Sequence, residues 1–224
     1  MQSITILQLQ FPDIPIYPSH VHKVRGFYGN QYKEYDLLHN HDIKTGKVIY
    51  RYPAIQFKTI NNILTMLALG SEAYPIIEEI FLKNKFFLIN DKKIPILSKN
   101  LKKYKSSFGF TEKRYQYTFL SPWLALNQKN YADYKNLQSI SEKLDKLESI
   151  LINNIISFSK FANYTVPDKI VPKIYNFKTR NFTLKGNIVL GILCDFEVNF
   201  LLPDFIGLGK SSSRGYGVIL RNRS

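Results

Sequence analysis

The chain has 224 residues, enough for one large domain or two small ones, and its 45% hydrophobic and 14% aromatic content excludes disorder over most of its length. A single cysteine, Cys194, excludes an internal disulfide, and its apolar neighbours predict a buried side chain. The 31 Lys and Arg residues against 17 Asp and Glu residues give a formal net charge of +14, which favours a polyanionic partner over a merely solvated basic surface.

The first half of the chain alternates strand-like and helical patterns. Ser19 is a candidate N-cap for a helix that reaches about Tyr35, and Ser71 is a candidate N-cap for a second helix with apolar residues at helical spacing. Asn90-Asp91 predicts the turn of a hairpin. A first strand is predicted from Ile4 to Phe11-Pro12, and further strands are predicted at 49–60, 63–69, 86–89 and 94–97. This order matches the βαββαβ pattern of a ferredoxin-like domain.

The second half predicts a similar but partly degenerate unit. A Lys-rich stretch at 98–107 has the composition of a linker or exposed loop, and one long helix is predicted from about Asn130 to Phe161. Its apolar stripe is more typical of a helix on its own sheet than of a coiled coil. Further strands are predicted at 115–119, 170–183, 188–202 and 218–220. We therefore expect an α+β fold of tandem ferredoxin-like (RRM-like) domains, at 1–105 and 106–224, ending in a Gly-rich loop.

The Gly-rich segment between Asp204 and Val218 is the strongest local signal. Glycine allows positive φ and close backbone approach to a ligand, so exposed N–H groups there can bind a phosphate. The residues predicted to contact a phosphate of the ligand in this segment are Gly207, Gly209, Lys210, Ser211, Ser212, Arg214 and Gly215. A Gly-Lys-Ser triplet is present, but the upstream glycine of a Walker A loop is not. The alternative is a tight turn that needs glycine for its shape alone.

Four histidines are candidates for proton transfer, because the unperturbed imidazole pKa lies near neutrality. His39 and His41 are two residues apart in a polar stretch, so in an extended loop both side chains face the same side. With Asp42 they could instead form a metal site, an alternative that lacks a nearby cysteine. His20 and His22 precede Arg25, a candidate contact for the polyanionic partner, although histidines at a helix start are more often simple surface residues.

Three segments together resemble a known family, the CRISPR-associated repeat-processing endoribonucleases of the repeat-associated RNA-binding (RAMP) superfamily. The segments are "LLHNHDIKTGKVIYRYPAIQFK" from Leu37, "FLSPWLALNQKNYADY" from Phe119 and "GLGKSSSRGYGVI" from Gly207. The Gly-rich segment alone is typical of the superfamily, whereas all three in this order are typical of the endoribonucleases. The resemblance covers nearly the whole chain.

The resemblance implies cleavage of precursor CRISPR RNA within each repeat, without a metal or cofactor. In such reactions a 2′-hydroxyl attacks the adjacent phosphate and leaves a 2′,3′-cyclic phosphate and a 5′-hydroxyl. The catalytic candidates are His41 and His39, with Tyr52 and Lys58 as further candidates for proton transfer or phosphate stabilisation. A non-catalytic RNA-binding subunit of an effector complex is the alternative.

The expected partners and location follow from the same resemblance and from the composition. CRISPR repeat RNA is the expected ligand, and CRISPR effector-complex proteins and a second copy of the chain are further candidate partners. Docking on acidic membranes is disfavoured because the basic residues are spread over several elements instead of one amphipathic helix. Without a signal-peptide pattern at residues 1–7, we expect a cytoplasmic protein.

Overall fold

The computed structural model describes residues 1–40, 45, 47, 49–184 and 187–223. It is an α+β protein with antiparallel sheets, as predicted. The chain divides into two compact units. The N-terminal unit comprises Ser3–Ser106 with Ser213–Gly215, and the C-terminal unit comprises Met1–Gln2, Ser107–Ser212 and Tyr216–Ser224.

The N-terminal unit contains three long strands, a hairpin, the first part of a fourth long strand and three helices. In chain order these are β1 (Gln2–Pro15), α1 (Val21–Gln31), α2 (Asp36–His39), β2 (Ile55–Ile60), β3 (Ile63–Leu69), α3 (Tyr74–Lys83), β4 (Phe86–Ile89), β5 (Lys92–Pro95) and the start of β6 (Asn100–Phe119). The strand order is β2-β3-β1-β6, and β3 pairs antiparallel with both β1 and β2. β4 and β5 form a separate two-stranded hairpin.

The core of this unit lies between the sheet and its helices. α1 buries Val21, Val24 and Tyr28, which recur at the three- and four-residue spacing of one helical face. α3 buries Ile76, Ile77 and Ile80, again at helical spacing. Tyr28 stacks on Phe57 of β2, with ring centroids 5.7 Å apart, so α1 is held against the edge strand of this sheet.

The helix starts and one strand differ from the sequence predictions for local reasons. Residues Pro18–His20 form a 3-10 turn, so α1 begins at Val21 and Ser19 is not its N-cap. Ser71 also lies in a 3-10 turn, and α3 begins at Tyr74. β2 begins only at Ile55, because Pro53 has no N–H for a strand ladder. The hairpin turn at Asn90-Asp91 is confirmed, with positive φ of 49° and 60°.

The C-terminal unit contains the rest of β6, two helices and three further strands. These are α4 (Gln128–Asn136), α5 (Ile140–Phe161), β7 (Pro172–Leu184), β8 (Asn187–Leu201) and β9 (Ile219–Arg221). β8 pairs antiparallel with β7 and β6, and β9 pairs antiparallel with β6. α5 packs against β7, and its Phe158 ring makes an edge contact with Phe108 of β6 at 5.2 Å. The apolar stripe therefore covers its own sheet, as predicted.

Two predictions for the second half were wrong. The Lys-rich stretch is not a loop, since β6 runs through it from Asn100, with Tyr104 Oη donating to Gln8 Oε1 of β1 at 3.3 Å. The long helix is two helices, because Leu137 adopts extended backbone and Ser139 starts α5 anew. Ser139 Oγ accepts from Glu142 N, and the Glu142 carboxylate accepts from Ser139 N, a complete capping box.

Among the described residues, no helix combines the length and the apolar composition required to cross a membrane. Cys194 is 4% exposed, and burial raises the pKa of its thiol to about 12, so the prediction of a buried, inert cysteine is confirmed.

Candidate functional site

A cluster of cationic side chains gathers at the N-terminal end of α1 in the N-terminal unit. The first turns of α1 carry His22, Lys23 and Arg25, and His20 directly precedes the helix. Arg214 reaches the same place because the Gly-rich segment adds to the edge of β2, where Phe57 N donates to Ser213 O at 3.2 Å. We call these five residues the cationic cluster.

Glycine at position 215 is needed for this approach. Its φ is +88°, a conformation that side chains with a Cβ rarely adopt, and an added Cβ would lie 3.2 Å from Val21 Cγ1 of α1. Gly215 thus lets the segment that carries Arg214 lie against the start of α1. Gly215 therefore allows two parts of the protein backbone to pack closely, and this packing fixes the position of Arg214.

The electrostatics of the cluster indicate an anion site. Burial, and then the charge of Arg214, lower the pKa of the Arg25 guanidinium to about 10. Arg25 is only 8% exposed, and its Nε has no hydrogen-bond partner within the described part of the chain. Burying a cation beside a second cation is unfavourable, so a bound anion would relieve both the burial and the repulsion.

His22 belongs to the same electrostatic environment. Burial lowers the pKa of its imidazole, and the charges of Lys23, Arg214 and His20 lower this pKa further. A hydrogen bond with the backbone of Ser19 acts in the opposite direction and raises it. The sequence favoured simple surface histidines at this position. The structure instead places His22 in the field of Arg214, a residue 192 positions later that sequence spacing could not connect to it.

Lys58 and Tyr52, two of the predicted catalytic residues, lie in a buried polar network. Lys58 is fully buried, its Nζ donates to Gln56 Oε1 at 2.8 Å, and Gln56 Nε2 donates to Pro53 O at 3.1 Å. Burial lowers the pKa of the Lys58 ammonium to about 7. Burial raises the pKa of the Tyr52 hydroxyl, and a hydrogen bond with Gln56 partly offsets this rise. Their catalytic roles stay predictions.

His39 ends the short helix α2, and its Nε2 lies 3.1 Å from Lys33 O. Asn40 follows with a positive φ of 53°, which turns the chain away from the helix. His41 and Asp42 lie outside the described residues, so the predicted pairing of His39 with His41 stays a prediction. Within the described part of the chain, no group of three or more His, Cys, Asp and Glu side chains is arranged to hold a metal ion.

The rest of the Gly-rich segment divides into packed and accessible residues within the C-terminal unit. A Cβ at Gly207 would lie 2.6 Å from Ser212 Cβ, and one at Gly209 would lie 2.6 Å from Trp123 Nε1, so both glycines are required by packing. Ser212 is buried, whereas Lys210 is exposed and Ser211 half-buried with a φ of 60°. RNA contact by these residues stays a prediction.

Trp123 anchors this segment. It is fully buried, stacks on Phe119 at a centroid distance of 5.1 Å, and donates from Nε1 to Asn154 Oδ1 at 2.9 Å. Trp123 is therefore a core anchor of the C-terminal unit.

Lysines and aromatic rings also meet on the hairpin and on the first part of β6. Lys93 Nζ lies 4.2 Å from the Phe86 ring centroid, and Lys103 Nζ lies 4.9 Å from that of Tyr74. Such pairs can bind single-stranded RNA through charge and stacking, or can simply be a solvated basic edge.

Comparisons with known proteins cover both units. A family model described as the Cas6b N-terminal domain matches residues 2–107, and one described as the Cas6b C-terminal domain matches residues 109–222. A solved structure titled "Crystal structure of Cas6b" is 30% identical and superposes with a TM-score of 0.92, over 99% of this chain and 100% of that chain.

Two further proteins are similar to this chain, one over nearly its whole length and one over about half of it. A solved structure of "CRISPR RNA processing endoribonuclease Cas6b" is 28% identical, with a TM-score of 0.79, over 99% of this chain and 100% of that chain. An uncharacterized protein of Methanocaldococcus jannaschii, MJ0978, is 40% identical over 114 residues, which is 51% of this chain and 77% of that protein.

Proposed function

The chain belongs to the Cas6b family, and we propose that it is an endoribonuclease that processes CRISPR RNA by cutting within the repeats. The observation that carries this proposal is the match to Cas6b over nearly the entire chain, including a solved structure titled as a CRISPR RNA processing endoribonuclease. The net charge of +14 and the cationic cluster agree with a polyanionic substrate.

We further propose that the fold is a tandem of ferredoxin-like domains, 1–105 and 106–224. The order β2-β3-β1-β6 supports this for the first domain, because β1 lies centrally and helices follow β1 and β3 along the chain. The two family models, which meet between 107 and 109, support the division.

The cationic cluster is the proposed phosphate site. Arg25 and Arg214 carry guanidinium groups, which bind phosphate oxygens through paired N–H donors. The cluster lies at the start of α1, where the partial positive charge of the helix dipole favours an anion. A phosphate bound here would neutralise the repulsion that lowers the Arg25 pKa.

The proposed chemistry is transesterification by the RNA itself. A base removes the proton of the 2′-hydroxyl, whose oxygen then forms a bond to phosphorus as the bond to the 5′-oxygen breaks. An acid protonates the leaving 5′-oxygen, so the products are a 2′,3′-cyclic phosphate and a 5′-hydroxyl. We assign these proton transfers to His39 and His41, because imidazole can perform either step near neutral pH.

The other predicted residues have supporting roles in this proposal. Lys58 and Tyr52 are buried, so we propose that they position other groups and do not touch the RNA. Both interact with Gln56 on β2. The next residue of β2, Phe57, donates its N–H to the backbone of the segment that carries Arg214, so this network helps to fix the position of that segment. In the Gly-rich segment, Lys210 and Ser211 are the proposed direct RNA contacts. Gly207, Gly209, Ser212 and Gly215 are proposed to shape the backbone that presents them.

Repeat RNA is the proposed partner in the cytoplasm, where it would be transcribed. CRISPR effector-complex proteins and a second copy of this chain are additional proposed partners that the product complex could recruit.

The first prediction tests cleavage directly. Purified protein is incubated with its repeat RNA in EDTA, beside a control RNA that is 2′-deoxy at the scissile position, and products are resolved on a denaturing gel. We expect cleavage of the all-ribose RNA only, because the 2′-oxygen is the nucleophile. We expect the rate to fall by about 10²-fold or more in the His39→Ala/His41→Ala variant, since general acid–base catalysis contributes that much.

The control is Lys169→Ala, which removes an exposed side chain outside both the assigned pair and the cationic cluster, with RNA affinity measured for every variant. Tight binding by the wild-type protein without cleavage would favour a non-catalytic RNA-binding subunit. Cleavage of the 2′-deoxy RNA would contradict the proposed chemistry.

A further inference from the structure

An open groove of about 590 Å³ lies beside α1 in the N-terminal unit, within the range of typical small-ligand sites. Lys23, Gly26, Phe27 and Asn30 line one side of it, together with the neighbouring Gln31. The first four are spaced at i, i+3, i+4 and i+7, so they share one face of the helix. This face is distinct from the one that buries Val24 and Tyr28 in the core.

The tip of the β4–β5 hairpin forms the other side of the groove, through Leu88, Asn90 and Asp91. Lys23 Nζ donates to Asn90 Oδ1 at 2.8 Å, which ties the hairpin to the helix at one end of the groove. The two-residue turn holds Asn90 and Asp91 at positive φ, so their positions are set by the hairpin.

Gly26 has no structural reason to be glycine. It lies in the interior of an 11-residue helix, it is exposed, and an added Cβ would have nothing within 4 Å. Alanine is a better helix former than glycine at such a position. Glycine is instead useful where a ligand must approach the backbone closely, and Gly26 lines the groove.

Phe27 provides a flat apolar surface next to Gly26. Its ring is half-buried and packs against Phe86, with centroids 6.1 Å apart, and Lys93 covers the Phe86 ring at 4.2 Å. Polar groups surround the Phe27 ring. The side-chain amides of Asn30 and Gln31 can both donate and accept hydrogen bonds, and the Asp91 carboxylate can accept them. An aromatic surface surrounded by amides and a carboxylate matches an unpaired nucleobase, which stacks and is read along its edge.

Lys23 connects the groove to the proposed phosphate site. It lines the groove, and its charge also lowers the pKa of His22 in the cationic cluster. A nucleotide whose phosphate is bound at the cluster can therefore direct its own or a neighbouring base along α1 into the groove.

We propose that the groove between α1 and the β4–β5 hairpin binds one unpaired nucleobase of the substrate RNA, stacked over Gly26 and Phe27, and so contributes to the choice of repeat sequence. This inference rests on the proposed function and deepens it. A nucleobase fits better than an apolar peptide, because five of the eight residues that line the groove are polar or charged, namely Lys23, Asn30, Gln31, Asn90 and Asp91.

The test combines Gly26→Ala with an abasic scan of the repeat RNA. The RNAs are 2′-deoxy at the scissile position so that affinity is measured without cleavage, and each lacks one base. For the wild-type protein we expect one abasic position to weaken binding by about 5- to 100-fold, the usual effect of losing one stacked base. For Gly26→Ala we expect weaker binding of the intact RNA and little further loss at that position, because the added methyl already displaces the base.

Two variants complete the design. Gly29→Ala adds the same methyl on the buried side of α1, at an ordinary 3.5 Å contact with His39 Cβ, and should keep the full sensitivity to the missing base. Phe27→Leu keeps an apolar side chain against Phe86 but removes the flat ring, and should lose the sensitivity. The melting temperature of Gly26→Ala should equal or exceed that of the wild type, which separates lost contact from lost folding.

The outcomes distinguish the two proposals. If Gly26→Ala and Phe27→Leu retain the wild-type sensitivity at every abasic position, the groove does not hold a base, whereas the proposed function stands. If the wild-type protein does not bind repeat RNA, the proposed function fails and this inference fails with it.

Discussion

Arg25 and Arg214 show how two cationic side chains from distant parts of the sequence come to influence each other. Arg25 is fixed by the burial of α1, and Arg214 is fixed by the backbone bridge between its segment and Phe57. The charge of Arg214 lowers the pKa of the Arg25 guanidinium, so an anion bound beside both side chains would be stabilised by both charges.

The second prediction tests the contact between Arg214 and His22. We expect Arg214→Ala to raise the pKa of the His22 imidazole, because the charge of Arg214 now opposes protonation of the ring. The measurement is an NMR titration of the four histidine ring signals. Lys169→Ala, which removes an exposed charge in the C-terminal unit, should leave the His22 pKa unchanged. An equal shift of the His22 pKa in both variants would mean that this pKa responds to the net charge of the protein and not to Arg214 in particular.

The third prediction concerns Lys58 and pH. Its pKa is about 7 in the folded protein and near 10.4 in an unfolded chain, so between these values the unfolded state binds more protons. The free energy of unfolding should therefore rise as pH increases from about 7 to about 9, by up to about 1.4 kcal/mol per pH unit from this group.

Lys58→Met, which has a similar volume and no charge, should lack this increase. Urea unfolding of both proteins at pH 7, 8 and 9 provides the comparison. Parallel curves for the two proteins would show that Lys58 is solvated in the folded state, contrary to its complete burial.

At the scale of elements, α1 contributes to the core, to the cationic cluster and to the groove with different faces. Val21, Val24 and Tyr28 face the core, whereas Lys23, Gly26 and Phe27 line the groove. Because a helix has 3.6 residues per turn, the 11 residues of α1 make about three turns, and each of these two faces receives side chains from more than one turn. The order of residues along α1 therefore places the groups that line the groove on a rigid support.

The fourth prediction concerns the start of α5. Ser139→Ala removes the hydroxyl that accepts from Glu142 N, so the free energy of unfolding should fall by about 1 kcal/mol. Ser149→Ala makes the same change at an exposed position inside the helix and should be neutral or slightly stabilising. Chemical denaturation measures both. Equal losses in the two variants would contradict the capping box as the origin of the effect.

At the scale of the whole molecule, charge determines how RNA binding responds to salt. The net charge of +14 predicts that affinity falls steeply as salt increases, because bound phosphates release counterions. The fifth prediction is that Arg214→Ala lowers the slope of log K against log salt by about 0.7, the contribution of one phosphate contact on a single strand. Lys169→Ala, with the same loss of charge, should keep the wild-type slope. A reduced slope in both variants would indicate non-specific attraction.

Much of the fold could be predicted from local patterns. The limits of β3, the turn at Asn90-Asp91 and the burial of Trp123 depend on alternation, turn chemistry and apolar character. The failures at β6 and at the break before α5 have a different origin. A Lys-rich strand is stabilised by backbone pairing with distant strands, and one apolar stripe can continue across a capped break between helices.

The sequence alone predicted a polyanionic partner and the α+β class and contained the three segments that resemble the repeat-processing endoribonucleases, because charge, periodicity and motif order are properties of the chain itself. Only the tertiary structure decided that Arg214 lies beside Arg25 and His22, that Lys58 is buried, and that Gly26 opens onto a groove. Those facts depend on contacts between residues up to 192 positions apart, as for His22 and Arg214. No pattern within a short segment contains that information.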